Sequence, residues 1–179
     1  MRTFVAVEVH NDNVLSSISK LQSDFEIKAT AVSKQNMHFT LLFLGEISEE
    51  TAENVKKVLA TVTFKPIDVS FTHVGAFPNL RFPRVIWIGT DEASAKQLVE
   101  LAVQVEQKLI PLGFRSDKPF KPHLTIFRVK NKTEDISKKL ERFKETNLGR
   151  DIISELKFKQ SILTPNGPIY SDLKVVNAQ

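Results

Sequence analysis

Lys121-Pro122-His123-Leu124-Thr125-Ile126-Phe127-Arg128 is an apolar, β-branched stretch opened by a proline, which is the pattern of a β-strand. Strand side chains alternate between faces. His123 and Thr125 therefore share one face, about 7 Å apart along the strand, while Leu124 and Ile126 point the other way into a core. The arrangement occurs once more, at Met37-His38-Phe39-Thr40-Leu41-Leu42-Phe43-Leu44-Gly45. There His38 and Thr40 share a face, and alternation puts Phe39, Leu41 and Phe43 on the opposite one. The rest of the chain reads as a scaffold that brings these two strands together.

A single His-x-Thr carries little. With twelve threonines in 179 residues, a given histidine has one two places on with frequency 12/179. Two copies in apolar strands, one in each half, carry more, although a bland reading stands beside them: two half-buried strand histidines, each bonded to its threonine. That context favours the sharper reading, and the residue types suit it. Histidine can act as acid or base near neutrality, because its free pKa is about 6.5. A hydroxyl beside it can hold a nonbridging phosphate oxygen.

Taken in order, residues 2–9 alternate as a strand. Asn11 or Asp12 can cap a helix whose apolar residues Val14, Ile18, Leu21 and Phe25 recur at helical spacing. Ser48 is an N-cap for a second helix, with Ala52, Val55 and Leu59 as its core stripe. Two strands, around 67–74 and 84–89, flank a turn-rich loop. The longest helix spans roughly 92–110 and buries Leu98, Leu101, Val105 and Leu109. After the second motif the spacing predicts a short helix from Thr133, with Ile136, Leu140 and Phe143 inward, and then two strands near 152–163 and 169–176. Helix, His-Thr strand, helix thus occurs twice, with the histidines 123 − 38 = 85 residues apart. The expected fold is α+β: one domain over 1–179 with two pseudo-symmetric lobes. Each lobe is an antiparallel sheet with helices on its outer face.

Composition narrows the function classes. There is no cysteine, so disulfides, thiolate metal sites and cysteine nucleophiles are excluded. The start has no apolar run long enough for a signal peptide or a spanning helix, so a cytoplasmic protein without a membrane partner is the expectation. A net charge of +4 permits a polyanionic partner without demanding one. No carboxylate cluster at ligand spacing surrounds the histidines, so neither a metal nor another cofactor is expected.

The two motifs resemble the twin His-x-Thr-x motifs of the two-histidine phosphoesterases, and within them the RNA 2′,3′-cyclic phosphodiesterase (2′-5′ RNA ligase) family. The likeness covers nearly the whole chain. It includes the opening 1–8, the segments 75–78 and 83–89, the stretch 119–128 and the turn region 163–170. The resemblance implies a groove between the lobes lined by both motifs. It also implies hydrolysis of RNA 2′,3′-cyclic phosphate ends to 2′-phosphates, with His38 as proton donor to the leaving 3′ oxygen and His123 as proton acceptor from water. Sequence physics alone does not choose between these two role assignments. Thr40 and Thr125 would hold the phosphate. Arg128 matches a family arginine, but strict alternation puts it opposite His123; it reaches the groove only if the strand twists or bulges there, or ends.

The expected partner is RNA with cyclic phosphate ends, tRNA fragments among them, and the expected state is a monomer. Lys34, Arg81, Arg84, Lys118 and Lys121 are candidates for RNA backbone contacts, and Phe77 or Phe82 for stacking on a base. His73 and His10 are read as structural or surface residues. The alternatives are ATP-independent 2′-5′ ligation (the reverse reaction), a phosphodiesterase for another small cyclic nucleotide or 2′-5′ oligoadenylate, and a non-catalytic RNA-binding module.

Overall fold

A computed structural model describes residues 1–131 and 134–179. The elements run β1 (Arg2–Glu8), α1 (Asp12–Asp24), β2 (Thr30–Ala31), β3 (His38–Glu46), α2 (Glu49–Leu59), β4 (Ile67–Phe77), β5 (Val85–Thr90), α3 (Glu92–Leu109), β6 (Leu124–Arg128), α4 (Ser137–Glu141), β7 (Gly149–Ile153), β8 (Glu155–Thr164) and β9 (Gly167–Asn177). The strands form two antiparallel sheets, in the orders β3-β1-β8-β9 and β2-β6-β5-β4-β7. The fold is α+β, as the pattern of the chain implies.

The sheets correspond strand for strand once β2 is set aside: β3, β1, β8, β9 against β6, β5, β4, β7. In each, the motif strand pairs with the strand that opens its own half. The third strand comes from the other half, β8 in the first sheet and β4 in the second. The two halves are therefore interleaved. A buried apolar cluster draws Val5, Val7 and Phe39 from the first sheet, Ile86, Ile88 and Leu124 from the second, and Ile18, Val55, Leu98 and Val105 from the helices. Helix α1 touches β6 and β7, and α3 touches β3 and β4, so each helix contacts strands of the other half.

Local chemistry sets the helix starts. Asn11 accepts from the N–H groups of Asn13 and Val14 at 3.0 and 3.1 Å, Ser48 from Thr51 at 3.1 Å, and Asp91 from Ser94 at 2.9 Å. Each satisfies donors that the first helical turn leaves open. The buried Asp151 on β7 accepts from the backbone N–H groups of His10 and Asn11, which ties the end of β1 to the second sheet.

Three expectations need correction. The apolar run at 152–163 is not one strand. It divides at Ser154 into β7, which pairs with β4, and β8, which pairs with β1 and β9. The chain crosses between sheets there, and alternation of residues carries no mark of the crossing. Second, β4 runs on to Phe77, past the expected end. Third, Phe43 is not on the core face of β3. The register against β1 skips Leu41, a β-bulge. Leu41 and Leu42 are both buried, alternation resets, and Phe43 emerges 51% exposed on the face of His38 and Thr40. The helix start at Thr133 lies outside the described residues; α4 itself buries Leu140 just after the buried Ile136.

One glycine is fixed by packing. Gly75 on β4 lies opposite Trp87 on β5, and a Cβ on it would stand 2.4 Å from the indole. The Gly75→Ala variant is expected to lose about 1–3 kcal/mol of stability, the usual cost of overpacking. Equilibrium urea unfolding measures it, and a variant as stable as wild type would show that the indole can move aside.

Candidate active site

Both histidines lie in one groove of about 470 Å³, together with Thr40, Thr125, Arg128 and Tyr170. The motif strands supply four of these side chains, His38 and Thr40 from β3 and Thr125 and Arg128 from β6; His123 stands just before β6, and β9 brings Tyr170. The loop through residues 30–36 and the hairpin at 164–170 complete the walls. His38 and His123 are held in the same way. The Nδ1–H of His38 donates to the carbonyl oxygen of Asn36 at 2.8 Å, and that of His123 to the carbonyl oxygen of Lys121 at 2.6 Å. Each acceptor stands two residues before its histidine. A carbonyl can only accept, so the hydrogen sits on Nδ1 and neutral Nε2 keeps its lone pair. Two aromatic rings brace each imidazole: Phe4 and Tyr170 at 5.1 and 5.3 Å from His38, Phe77 and Trp87 at 5.0 and 6.4 Å from His123.

Burial dominates the electrostatics. It pushes His38 down to about 4; the Asn36 carbonyl works against this, and Lys159 and Arg128 add to it. His123 is lowered too, by burial first and then by the charges of Arg128 and Lys121, against its own carbonyl bond. Burial raises the Tyr170 hydroxyl. In the empty groove near neutrality both imidazoles are thus uncharged, with cations around them. That is an environment an anion would stabilise.

Arg128 reaches the groove by the route its sequence position requires. The β5–β6 register skips Ile126, a second bulge. Ile126 and Phe127 are both buried, and Arg128 resumes the face of His123 and Thr125. The two motifs are therefore alike past the threonine: two consecutive buried residues, then a groove-facing residue five places after the histidine. That residue is Phe43 in one and Arg128 in the other. A guanidinium can hold two phosphate oxygens at once. Arg128→Ala is expected to lower kcat/KM for a 2′,3′-cyclic nucleotide about ten- to a hundredfold, and Arg128→Lys to recover only part of it. Unchanged kinetics for the alanine variant would place the guanidinium off the phosphate.

The surface cations proposed from sequence do not gather here. Lys34, Arg81, Arg84, Lys118 and Lys121 are not among the groove's lining residues. Arg81 lies 3.9 Å from Asp135, and Arg84 donates to the Lys130 carbonyl. The Lys121 ammonium lies over the rings of Phe77 and Trp87. Phe77 packs against Trp87 and His123 and offers no free face for a base, while Phe82 is exposed but lies outside the groove. The aromatic that sequence reasoning missed is Phe43. It lines an adjoining cavity of about 330 Å³ with Arg2, Leu163 and the shared His38, Thr40 and Arg128. The Arg2 guanidinium sits 5.0 Å from its ring centre. Arg2 was findable, since it alternates on β1 with Phe4 on the groove face. His73 packs across Gly89 and bonds Thr72. Among the described residues, no group of three or more His, Cys, Asp or Glu is placed to hold a metal ion.

Two tandem repeats sharing one groove with a His-Thr pair from each define a class, and comparison places the chain within it. The family model of LigT-like phosphoesterases matches twice, over residues 7–87 and 88–170, and the chain belongs to that family. The RNA 2′,3′-cyclic phosphodiesterase of Archaeoglobus fulgidus is 44% identical over 177 residues, covering 98% of this chain and 99% of that protein. The protein of the same name from Methanocaldococcus jannaschii is 36% identical over 97% of this chain and 99% of its own length. Among solved structures, TT0787 of Thermus thermophilus superposes with a TM-score of 0.79 at 27% identity, covering 99% of this chain and 97% of that one. Escherichia coli LigT complexed with 3′-AMP gives 0.78 at 20% identity over 99% and 97% of the two chains, a likeness of fold. Among the described residues no helix is long and apolar enough to cross a membrane.

Proposed function

We propose that the protein hydrolyses the 2′,3′-cyclic phosphate at RNA ends to a 2′-phosphate. The observation that carries this reading is the pairing of His38–Thr40 with His123–Thr125 in one groove, each imidazole presenting a lone-pair Nε2. The names of the relatives at 44% and 36% identity support the substrate. In the reaction, water attacks phosphorus and the bond from phosphorus to the 3′ oxygen breaks. His123 Nε2 takes the proton from water, and protonated His38 Nε2 gives its proton to the departing oxygen. Each transfer contributes about 10²–10⁴ in rate. Thr40, Thr125 and Arg128 hold the nonbridging oxygens, whose negative charge must be stabilised while one bond to phosphorus forms and the other breaks. The family resemblance supplies the direction, His38 as acid and His123 as base. RNA carrying such ends, tRNA fragments included, is the partner of a monomeric cytoplasmic enzyme in this reading. The exposed Phe43 is the aromatic available to an RNA base.

Product analysis tests it. A 2′,3′-cyclic nucleotide should yield the 2′-phosphate alone; a 3′-phosphate product, or turnover confined to 2′-5′ oligoadenylate, overturns it. Activity should also persist in excess chelator, because every step uses protein groups. Complete loss, restored by a divalent ion, rules out this mechanism.

A further inference from the structure

The two histidines are pseudo-equivalent, yet the surfaces on which they stand differ in kind. Behind Thr125 the second sheet is aromatic: Trp87 is its cross-strand neighbour on β5, and Gly75 follows on β4. The first sheet carries charge at one of the corresponding positions. Ala6 is the neighbour of Thr40 on β1, and Lys157 follows on β8. Glu8 lies directly across from His38. Lys159 from β8 and Asp172 from β9 close a cluster of two ammonium groups and two carboxylates. Lys159 Nζ donates to both Glu8 and Asp172. Lys157 Nζ donates to Glu8 at 2.6 Å and lies 3.2 Å from Asp172. The Lys159 side chain is only 6% exposed and that of Glu8 14%.

Taking charges out of water is costly, and close pairing does little more than offset that cost. The second sheet builds the same part of the fold from Trp87 and Gly75 without any of these charges. Holding the sheet together is therefore not a sufficient reason for the network, and its position points to another. The charged groups that face His38 are Glu8 from β1, Lys159 from β8 and Arg128 from β6, with Tyr170 from β9 against its ring. His10 sits at the outer rim, 3.7 Å from Glu8 and 3.8 Å from Glu155.

We propose that Lys159, held in place by Glu8 and Asp172, makes the two histidines unequal: its field adds to burial in opposing charge on His38 until an anionic phosphate enters the groove. Lys159 acts through its field and is a positioning residue. Two carboxylates pin its ammonium, so it cannot swing out to neutralise the phosphate itself. The incoming anion is then left to be balanced by a proton on His38, the group that must deliver one. Among the described residues His123 has no cation pinned by two carboxylates; Lys121, which faces it, lies over aromatic rings. The purpose assigned to the network rests on the phosphodiesterase reading, but its electrostatics can be measured without turnover.

The experiment is imidazole NMR titration of the full chain, with and without inorganic phosphate. In wild type, phosphate should raise the His38 midpoint by more than that of His123. Lys159→Met should raise the His38 midpoint by about one pH unit and leave His123 in place. Lys159→Arg, which keeps the charge, should restore the wild-type value, and Glu8→Gln should move His38 the opposite way. A loss of packing alone would not give opposite signs from two partners of one ion pair. A folded Lys159→Met variant with an unmoved His38, or with both histidines moving together, overturns the inference. If Lys159→Met does not fold, wild type decides: phosphate raising His123 as much as His38 overturns it equally. Turnover of a 2′,3′-cyclic mononucleotide is scored separately. Its absence in wild type removes the phosphodiesterase reading and leaves the titration result standing.

Discussion

Replacing His38 or His123 by alanine is expected to lower kcat on a 2′,3′-cyclic nucleotide about 10²–10⁴-fold, some 3–5 kcal/mol of barrier. In the proposed mechanism each substitution deletes one proton transfer and leaves the phosphate-binding groups in place. The double variant should lose less than the product of the single losses. Once one transfer is gone, the transition state no longer gains fully from the other. Thr40→Ala and Thr125→Ala should cost less, on the order of 10–10³-fold, since each removes one hydroxyl from phosphate. Neither histidine variant should unfold, because both rings line the groove and the backbone carbonyls they release can bond water. Equilibrium unfolding checks that point beside the kinetics. A folded His38→Ala or His123→Ala protein with near wild-type turnover would end the proposed mechanism.

The residues of this groove were more legible in the sequence than the path that brings them together. His38, Thr40, His123 and Thr125 could be placed because alternation over three residues is a local rule, and nothing interrupts it within His-x-Thr. It fails just beyond, at Leu41-Leu42 and Ile126-Phe127. In each pair two adjacent apolar side chains are buried in the same core, which a regular strand cannot do. A bulge resolves the conflict, and it turns Arg128 into the groove and Phe43 into the cavity beside it. Read that way, the doubled apolar pair was the missing signal for both. Other features lay beyond local rules. The crossing at Ser154 depends on which sheet has room for the next strand. The partners of Arg81, Arg84 and Lys121 depend on where long side chains find a carboxylate, a carbonyl or a ring. The charged network beneath His38 joins residues 8, 157, 159 and 172 from three strands, and each alone reads as an ordinary surface charge.

The pH dependence of kcat/KM should reflect the depressed histidines. That parameter reports the free enzyme, and two imidazoles in one groove titrate as a pair. The productive form carries one proton on the pair. Below the lower midpoint both are charged, and above the upper one neither is. Burial puts His38 at about 4, and His123 also lies below its ordinary 6.5. A lowered midpoint means the proton is lost at lower pH, so the singly protonated form is most populated above about 4 and is already being lost by pH 6.5. Whichever imidazole carries that proton, the form with it on His38 rises and falls in step with the singly protonated total, so the profile reports the pair. Above 6.5 the form falls tenfold per unit, so kcat/KM at pH 8.5 should be about a hundredfold or more below its maximum. The kcat profile should lie to the alkaline side, because bound phosphate is anionic and favours the protonated imidazoles. Initial rates on a 2′,3′-cyclic mononucleotide between pH 4 and 9 give both curves. A kcat/KM that stays level or rises from pH 6.5 to 8.5 would show that these imidazoles do not share the proton on which the reaction depends.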